Sequence, residues 1–513
     1  RTGAPGTRRL LGAAGALLVL TRVEGFGPVL AAAVFLAATC PGTRRRAAVA
    51  AALAPPLVAW LTMGALRRAQ TGDAWPASFV AHSRWFEPGA AFGARALAWW
   101  DRAGTNTAEC LARALPSHRG AALAIALLAL VPLASHATRA YAALVWGAFA
   151  GWLLLAAAAP GGPGSEGWVA HASGAWIAGL TVLGVAVALR ASGHRAPWLR
   201  HPAARIAAFA LIATGLVAAR TGDARRDLRA FADGSRTVRA RQLAAGAALR
   251  AWQVASVIVE EPGAVAWVAD RPALDLSGVG ASGRLPYARA ARLGEGAVVE
   301  LIDRLAHEAR PEFFAVTPAR WPTLAAFLGR REASFGTGGP LAQALGPLEL
   351  SRADWSSLGG GELDAPAALR SEERVVDVLD VGDLVSERAH NYTPSTDGAL
   401  RVEHRVLPHP RDASRDRFDA GRRVGIGAPE SFVLAVAAGG GRLVLRSATA
   451  ARRSVEVRAD GNALGTLELA PNGGWTEGSL ALPASLTGRV RFELLALDAP
   501  FLDCHAWSIG PAG

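Results

Sequence analysis

Lysine is missing from this chain: all 54 residues of the Lys+Arg total are arginine. That reads as compositional bias, not as a physical requirement. Cysteine is scarce as well, and three of them exclude a disulfide scaffold and any Cys-rich zinc site. Charge is thin, at 19% of 513 residues, where a soluble protein carries about a quarter. The apolar share of 51% and the mean hydropathy of +0.23 exclude a disordered chain and lean towards a membrane. At roughly 150 residues per domain, the length suits about three units.

The apolar residues crowd into the front of the chain. Up to about Arg220, long Ala/Leu/Val runs alternate with short arginine-bearing breaks. A helix needs about 20 apolar residues to cross the hydrocarbon core, and 47–65, 120–135, 140–159, 173–190 and 206–220 are near that length. The stretch 9–40 is interrupted by Thr21-Arg-Val-Glu-Gly25 and Pro28. Gly25, Gly27 and Pro28 break helices, so two short helices meeting at a break are expected. Arginine asymmetry sets the orientation. The loops with Arg44, Arg45 and Arg46 and with Arg190, Arg195, Arg200 and Arg205 belong in the cytoplasm. Loops 66–119 and 160–172, and everything after Arg220, then face outwards. The net charge of +12 reflects these anchors. No basic stripe interleaved with aromatics marks a nucleic-acid partner.

The rear of the chain is patterned as a globular protein. Residues 238–253 read as an amphipathic helix, and Val254–Val259, Ala264–Val268, Ala273–Leu276 and Glu312–Val316 as short strands. Glu295–His307 and 322–328 have helical spacing. The alternation predicts a small α/β domain over 221–350. A Gly-rich connector, 351–393, follows. Beyond about 374 the helical signal is gone, and six strand-like runs between 430 and 496 predict a β-sandwich or jelly roll over 394–513. Asp460-Gly461 and Asn472-Gly473 are hairpin signals. The expected fold is thus a multi-pass α-helical membrane domain, 1–220, followed by the α/β domain and the sandwich.

Two short elements interrupt the apolar pattern. Arg22 and Glu24 sit inside an apolar run, where a charge at mid-bilayer costs about 2.5–3.5 kcal/mol. Either an interfacial loop hydrates both, or Arg22 meets an anionic lipid head group while Glu24 orients it. The planar guanidinium suits phosphate because it holds two oxygens at once. The second element, Gly72-Asp-Ala-Trp-Pro76 through His82, opens the long outer loop. Its tryptophan suits a membrane interface, and Asp73 and His82 are candidate acid–base groups whose spacing fixes no geometry. The acidic run Asp377, Asp380, Asp383 and Glu387 reads as a solvated face, not a calcium site. Cys504-His505 reads as part of a closing strand, not a metal site, and nothing requires a bridge from Cys110 to Cys504. No metal or cofactor is expected.

Thr21-Arg-Val-Glu-Gly25 resembles the "TRPEG" element of polytopic GT-C-type glycosyltransferases. Gly72-Asp73 through His82 resembles their "YGDxxPNTxxAK" element, one span further on. Glu260-Glu-Pro-Gly-Ala-Val-Ala-Trp-Val and Asp275-Leu-Ser-Gly-Val-Gly280 resemble an "NDAGAIAYF…DLVGL" element of their outer domains. Val23 stands for the usual proline, Ala77 and Ser78 for Asn-Thr, and His82 for lysine. The trio is similar to the lipid-linked cell-wall arabinofuranosyltransferases and the wider family-39-like enzymes. The resemblance implies a bacterial plasma-membrane enzyme that moves a sugar from a polyprenyl-phosphate donor to a glycan acceptor outside the bilayer. Arg22 and Glu24 would bind the lipid phosphate, and Asp73, Trp75, Pro76 and His82 would form the donor and acceptor loop. The family's catalytic acidic loop has no counterpart before residue 9, so the base is unassigned and an N-terminal truncation is expected. The rival expectation is a non-catalytic, membrane-anchored glycan-binding protein with degenerate motifs.

Overall fold

The computed structural model describes residues 5–21, 25–86, 92–115, 119–156, 165–193, 195–260, 263–280, 285–336, 345–359, 365–396, 401–409 and 412–512. The chain divides into two units, Arg1–Ala232 and Asp233–Gly513.

The first unit is helical: α1 (Pro5–Thr21), α2 (Phe26–Thr39), α3 (Gly42–Thr71), α4 (Ala77–His82), α5 (Phe92–Ala114), α6 (Arg119–Ala134), α7 (Arg139–Ala156), α8 (Ser165–Ser192) and α9 (Pro202–Val238). α1 and α2 are separate helices, as the breakers around Gly25 require. Two stretches, Arg44–Gln70 and Pro202–Ala251, are long and apolar enough to cross a membrane. The apolar helices Arg119–Ala134 and Trp176–Ser192 are shorter. Leu57, Val58 and Leu61 on α3, Leu123 and Leu127 on α6, and Ile206, Leu211 and Val217 on α9 are all exposed.

Glycines set the closest helix contacts. A Cβ on Gly27 of α2 would lie 2.3 Å from the backbone of Gly151 on α7, and one on Gly184 of α8 would lie 1.7 Å from the Leu128 carbonyl of α6. Pro55 and Pro56 inside α3 have no N–H to give to the carbonyls of Ala51 and Ala52. α1 crosses there, and a Cβ on its Gly12 would lie 2.5 Å from the Ala51 oxygen.

The second unit begins within the last turns of α9, which run into a π-helical turn at Arg239–Leu243 and α10 (Ala244–Ala251). A five-stranded sheet follows, in the order β2-β1-β3-β5-β4. Its parallel members are β1 (Val257–Val259), β2 (Ala273–Asp275) and β3 (Phe313–Val316). β5 (Leu348–Ala353) adds antiparallel to β3, and β4 (Gly329–Phe335) to β5. Between the strands lie α11 (Ala264–Ala269), α12 (Tyr287–Leu293), α13 (Glu295–Asp303) and α14 (Pro322–Ala326). The expected strand at Ala264–Val268 is therefore helix α11. Val265 and Ala269, four apart, are buried while Trp267 is exposed, and that is helical spacing.

The rest is two antiparallel sheets. β6 (Glu373–Asp380), β7 (Val402–His409), β8 (Asp412–Val424), β10 (Gly441–Ser447), β13 (Thr476–Leu482) and β15 (Phe501–Pro511) form one; β9 (Glu430–Val436), β11 (Arg453–Ala459), β12 (Asn462–Leu469) and β14 (Gly488–Ala496) form the other. Leu379, Leu443, Leu445 and Ala506 of the first pack against Phe432, Val455, Leu467 and Phe492 of the second. Asp460 and Gly461 take positive φ in the β11–β12 hairpin, as their sequence demands. Asn472-Gly473 makes no hairpin. β12 and β13 belong to different sheets, and the turn between them carries the chain across. The segment expected as connector supplies β6 and a short helix, α15 (Leu384–Ala389), where no helix was expected.

Because the Gly184 contact is backbone to backbone, Gly184→Leu must drive α6 and α8 apart. The expected cost is about 1–3 kcal/mol or more, read as a lowered Tm. Gly179→Ala on the same helix, with nothing within 4 Å, should leave Tm unchanged or slightly raised.

Candidate functional site

Of the residues singled out from the sequence, Arg22 and Glu24 lie outside the described residues; their neighbours Thr21 and Gly25 end α1 and precede α2. The second element is built on the end of α3. Gly72 closes that helix with φ of 76°, a left-handed cap that favours glycine, and its N–H donates to the Arg68 carbonyl. Asp73 follows, half-buried, and Pro76 starts α4, which His82 ends; the His82 side chain lies outside the described residues. Trp75 turns back onto the helices. Its ring is 5.4 Å from Trp60 of α3 and 5.4 Å from Phe79, and Trp60 lies 5.9 Å from Phe26, the first residue of α2. Phe26, which follows the first element, and Trp75 of the second, some fifty residues apart in sequence, thus pack on the same ring of α3. Nothing in the spacing of Arg22 and Asp73 could have shown this, since Trp60 lies mid-helix in an apolar run.

In the second unit, the third element occupies the carboxyl ends of the parallel strands. β1 is followed by β2 on one side and β3 on the other, the switch point where open α/β sheets bind ligands. Glu260 leaves β1 there, fully engaged. Its carboxylate accepts from the Thr317 N–H (2.9 Å), the Thr317 hydroxyl (2.8 Å) and buried Arg241 (3.3 Å). Asp275 ends β2 and accepts from the Ser277 N–H and hydroxyl (2.9 and 2.6 Å) and the Gly280 N–H (2.6 Å). Asp275 shapes its own loop, whereas Glu260 ties the end of β1 to the end of β3 and to the π-helical turn.

The densest polar chemistry lies where α13 packs against β7 and β8. His505 on β15 stands opposite Arg446 on β10 and Asp380 on β6. Its ring stacks on Trp507 at 5.0 Å, and Asp419 of β8 closes the group, with Oδ2 3.2 Å from His505 Nδ1 and 3.3 Å from Arg446 Nη1. Arg446 also holds Glu477 at 2.9 Å. Around them Arg310 meets Asp303 (2.7 Å), Arg304 meets Asp383 (2.5 Å), and Arg417 reaches Asp303 at 3.9 Å. Glu300 of α13 accepts from the Ala420 N–H at 2.8 Å. Burial, then the charges of Asp380 and Asp419, push Glu300 well above the usual carboxylate range. Burial also pushes Asp380 up, against the pull of His505. For His505 burial acts downwards, but Asp419 and Asp380 outweigh it and lift its pKa to about 9.

The acidic run is therefore no solvated face. Asp383 and Glu387 are buried, and Glu387 grips buried Arg422 through two contacts of 2.6 and 2.9 Å. Asp377 accepts from His390 at 3.1 Å. His505 does lie in a closing strand, as its sequence suggests, and Cys504 is a free buried thiol. Asp419 was missed because it sits in a charge-rich run, Arg415–Arg423, whose alternation gives no sign that one acid turns inward.

No protein-family model matches the chain, and no curated protein does. Solved structures to which it is similar include the catalytic unit of a thermostable GH87 alpha-1,3-glucanase from Streptomyces thermodiastaticus, at 13% identity over 18% of this chain and 22% of that one, with a TM-score of 0.15. Another is the CBM36-1 domain of a multidomain xylanase from the hindgut metagenome of Trinervitermes trinervoides, at 16% identity over 28% and 98%, TM-score 0.18. A third is a carbohydrate-binding module, CBM36, in complex with calcium and xylotriose, at 16% identity over 21% and 88%, TM-score 0.16. TM-scores this low establish no common fold.

One carboxyl group in the sheets reports on pH. Glu430 is fully buried and accepts from the Tyr392 hydroxyl at 2.6 Å. Burial raises its pKa to about 7, against the hydrogen bonds of Asp503 and Tyr392. The folded chain thus holds a proton that the unfolded chain releases near pH 4.5. Stability from this group is complete below that pH and is lost as pH rises through about 7. Glu430→Gln, neutral at every pH, should match the wild type near pH 4.5 and exceed it above pH 7 by a few kcal/mol. Parallel Tm profiles from pH 4 to 9 would show that Glu430 is not buried as an acid.

Proposed function

We propose that the chain is a membrane glycosyltransferase of the GT-C kind, moving a sugar from a polyprenyl-phosphate donor to a glycan acceptor on the outer face of a bacterial plasma membrane. The observation that supports this reading is that Phe26, next in sequence to the first element, and Trp75 of the second both pack on Trp60 of α3. A donor phosphate and a transferring sugar must lie within a few ångströms of each other, and elements so far apart in sequence serve one donor only if the fold joins them. The exposed Leu, Val and Ile side chains on α3, α6 and α9 support the same reading. Large apolar surface facing outwards is costly in water and suits lipid. The multi-pass topology, the outward-facing second unit and its jelly-roll character belong to this proposal.

In this mechanism Arg22 neutralises the lipid phosphate, holding two oxygens with its fork, and Glu24 fixes the guanidinium. The phosphate is both anchor and leaving group, so charge compensation there lowers the barrier as charge builds during departure. A carboxylate base takes the proton from the acceptor hydroxyl, which attacks the anomeric carbon in a single displacement. Asp73 and His82 belong to the loop that frames donor and acceptor, with Trp75 and Pro76 setting its path.

The test is transfer from a radiolabelled polyprenyl-phosphate sugar to envelope glycan, by membranes carrying the protein expressed from its full reading frame. Arg22→Ala should lower the rate at least about tenfold, the scale of one lost charge-assisted contact, and Trp75→Ala should lower it while leaving the helical content intact. Full activity of Arg22→Ala would remove the role given to that residue. Absence of transfer, with retained glycan binding by the wild type, would favour the anchored binding protein.

A further inference from the structure

The residues around His505 carry more acid than base, and they converge. Ladder pairing puts Asp380 and Arg446 opposite His505, so the three project from one face. Asp419 adds its carboxylate from β8. One ligand atom from each of Asp380, Asp419 and His505 lies within 4.8 Å of the others. An ion bonded to nitrogen and oxygen at about 2.0–2.2 Å holds its ligands no more than about 4 Å apart. Closing the site takes side-chain movements smaller than one ångström.

A second observation points to a bound ligand. The Asp419 side chain is 1% exposed, yet its Oδ1 accepts no hydrogen bond. Oδ1 of Asp380 is likewise buried without one, and His505 Nδ1, although 3.2 Å from Asp419, is out of line for one. Buried acceptors are rarely left so.

We propose that Asp380, Asp419 and His505 bind a divalent transition-metal ion of the Zn²⁺ or Mn²⁺ class. One imidazole nitrogen with carboxylate oxygens suits those ions, whereas Ca²⁺ takes six to eight oxygens. Arg446 holds Asp419 through Oδ2 and leaves Oδ1 for the ion, and Trp507 fixes the imidazole plane, the orienting contacts that metal ligands need. The Asp380 side chain keeps 28% exposure, which gives the ion a way in. Once bound, the ion ties β6, β8 and β15 together.

The full chain, stripped with a chelator, is titrated calorimetrically with Zn²⁺, Mn²⁺ and Ca²⁺. One equivalent of Zn²⁺ should bind with Kd below about 1 μM, Ca²⁺ should not compete, and Co²⁺ loading should give visible ligand-field bands. Asp380→Asn, at the open edge, should weaken binding by about 10–100-fold while the metal-free Tm stays within a few degrees. His505→Gln should abolish the Co²⁺ bands; if that variant does not fold, the Asp380→Asn result decides. Absence of stoichiometric binding by the wild type, a preference for Ca²⁺, or unchanged Zn²⁺ affinity in Asp380→Asn would overturn the assignment.

Discussion

A carboxylate taken out of water has to be neutralised by a proton, a cation or converging donors, and the second unit is organised around that requirement. Where α13 packs on β7 and β8, acids from the helix and from three strands share one buried region, and guanidiniums from the segment after α13, from β8 and from β10 reach in to meet them. Breaking one such pair strands a buried charge, which costs about 3–5 kcal/mol. The packing of helix against sheet thus depends on the arginine set remaining complete. Arginine alone supplies it in this chain, and its planar fork makes the paired contacts seen at Glu387 and Glu477.

The first unit rests on different physics. Several of its helices approach through glycine and alanine, a cluster of Ile125, Phe149, Trp152, Leu153 and Ile177 is buried between them, and many other large apolar side chains are exposed. Gly27 against Gly151, Gly184 against Leu128, and Gly12 over the carbonyl freed by Pro55 are backbone contacts that any side chain would prevent. Close backbone approach of this sort brings helix axes nearer than larger side chains would allow. The two units divide the chain's chemistry, with exposed apolar surface and an aromatic cluster in one and buried charge in the other.

The Glu260 and Asp275 loops connect the two levels of reading. Both acids belong to the motif-like stretch and both stand at the ends of parallel strands, yet their oxygens are taken by Thr317, Arg241, Ser277 and Gly280. Both acids do structural work here: Asp275 closes the loop after β2, and Glu260 ties the end of β1 to the end of β3.

Periodicity determined much on its own. The break between α1 and α2, the short strands β1 to β3, helix α13, the β11–β12 hairpin and the strands from β9 to β14 follow from local spacing and from Gly and Asp propensities, which act within a few residues. The tertiary structure decided the rest. It made Ala264–Val268 a helix, because burial of Val265 and Ala269 outweighed a β-like composition. It sent Asn472-Gly473 across to the other sheet, because β13 pairs with β10. It turned the Asp377–Glu387 run inwards, since only the distant Arg304 and Arg422 make burial of Asp383 and Glu387 tolerable. The union of Asp380, Asp419 and His505 lay beyond local pattern altogether, because side chains from three strands meet only when sheet order and register are fixed, and those are set by the whole core.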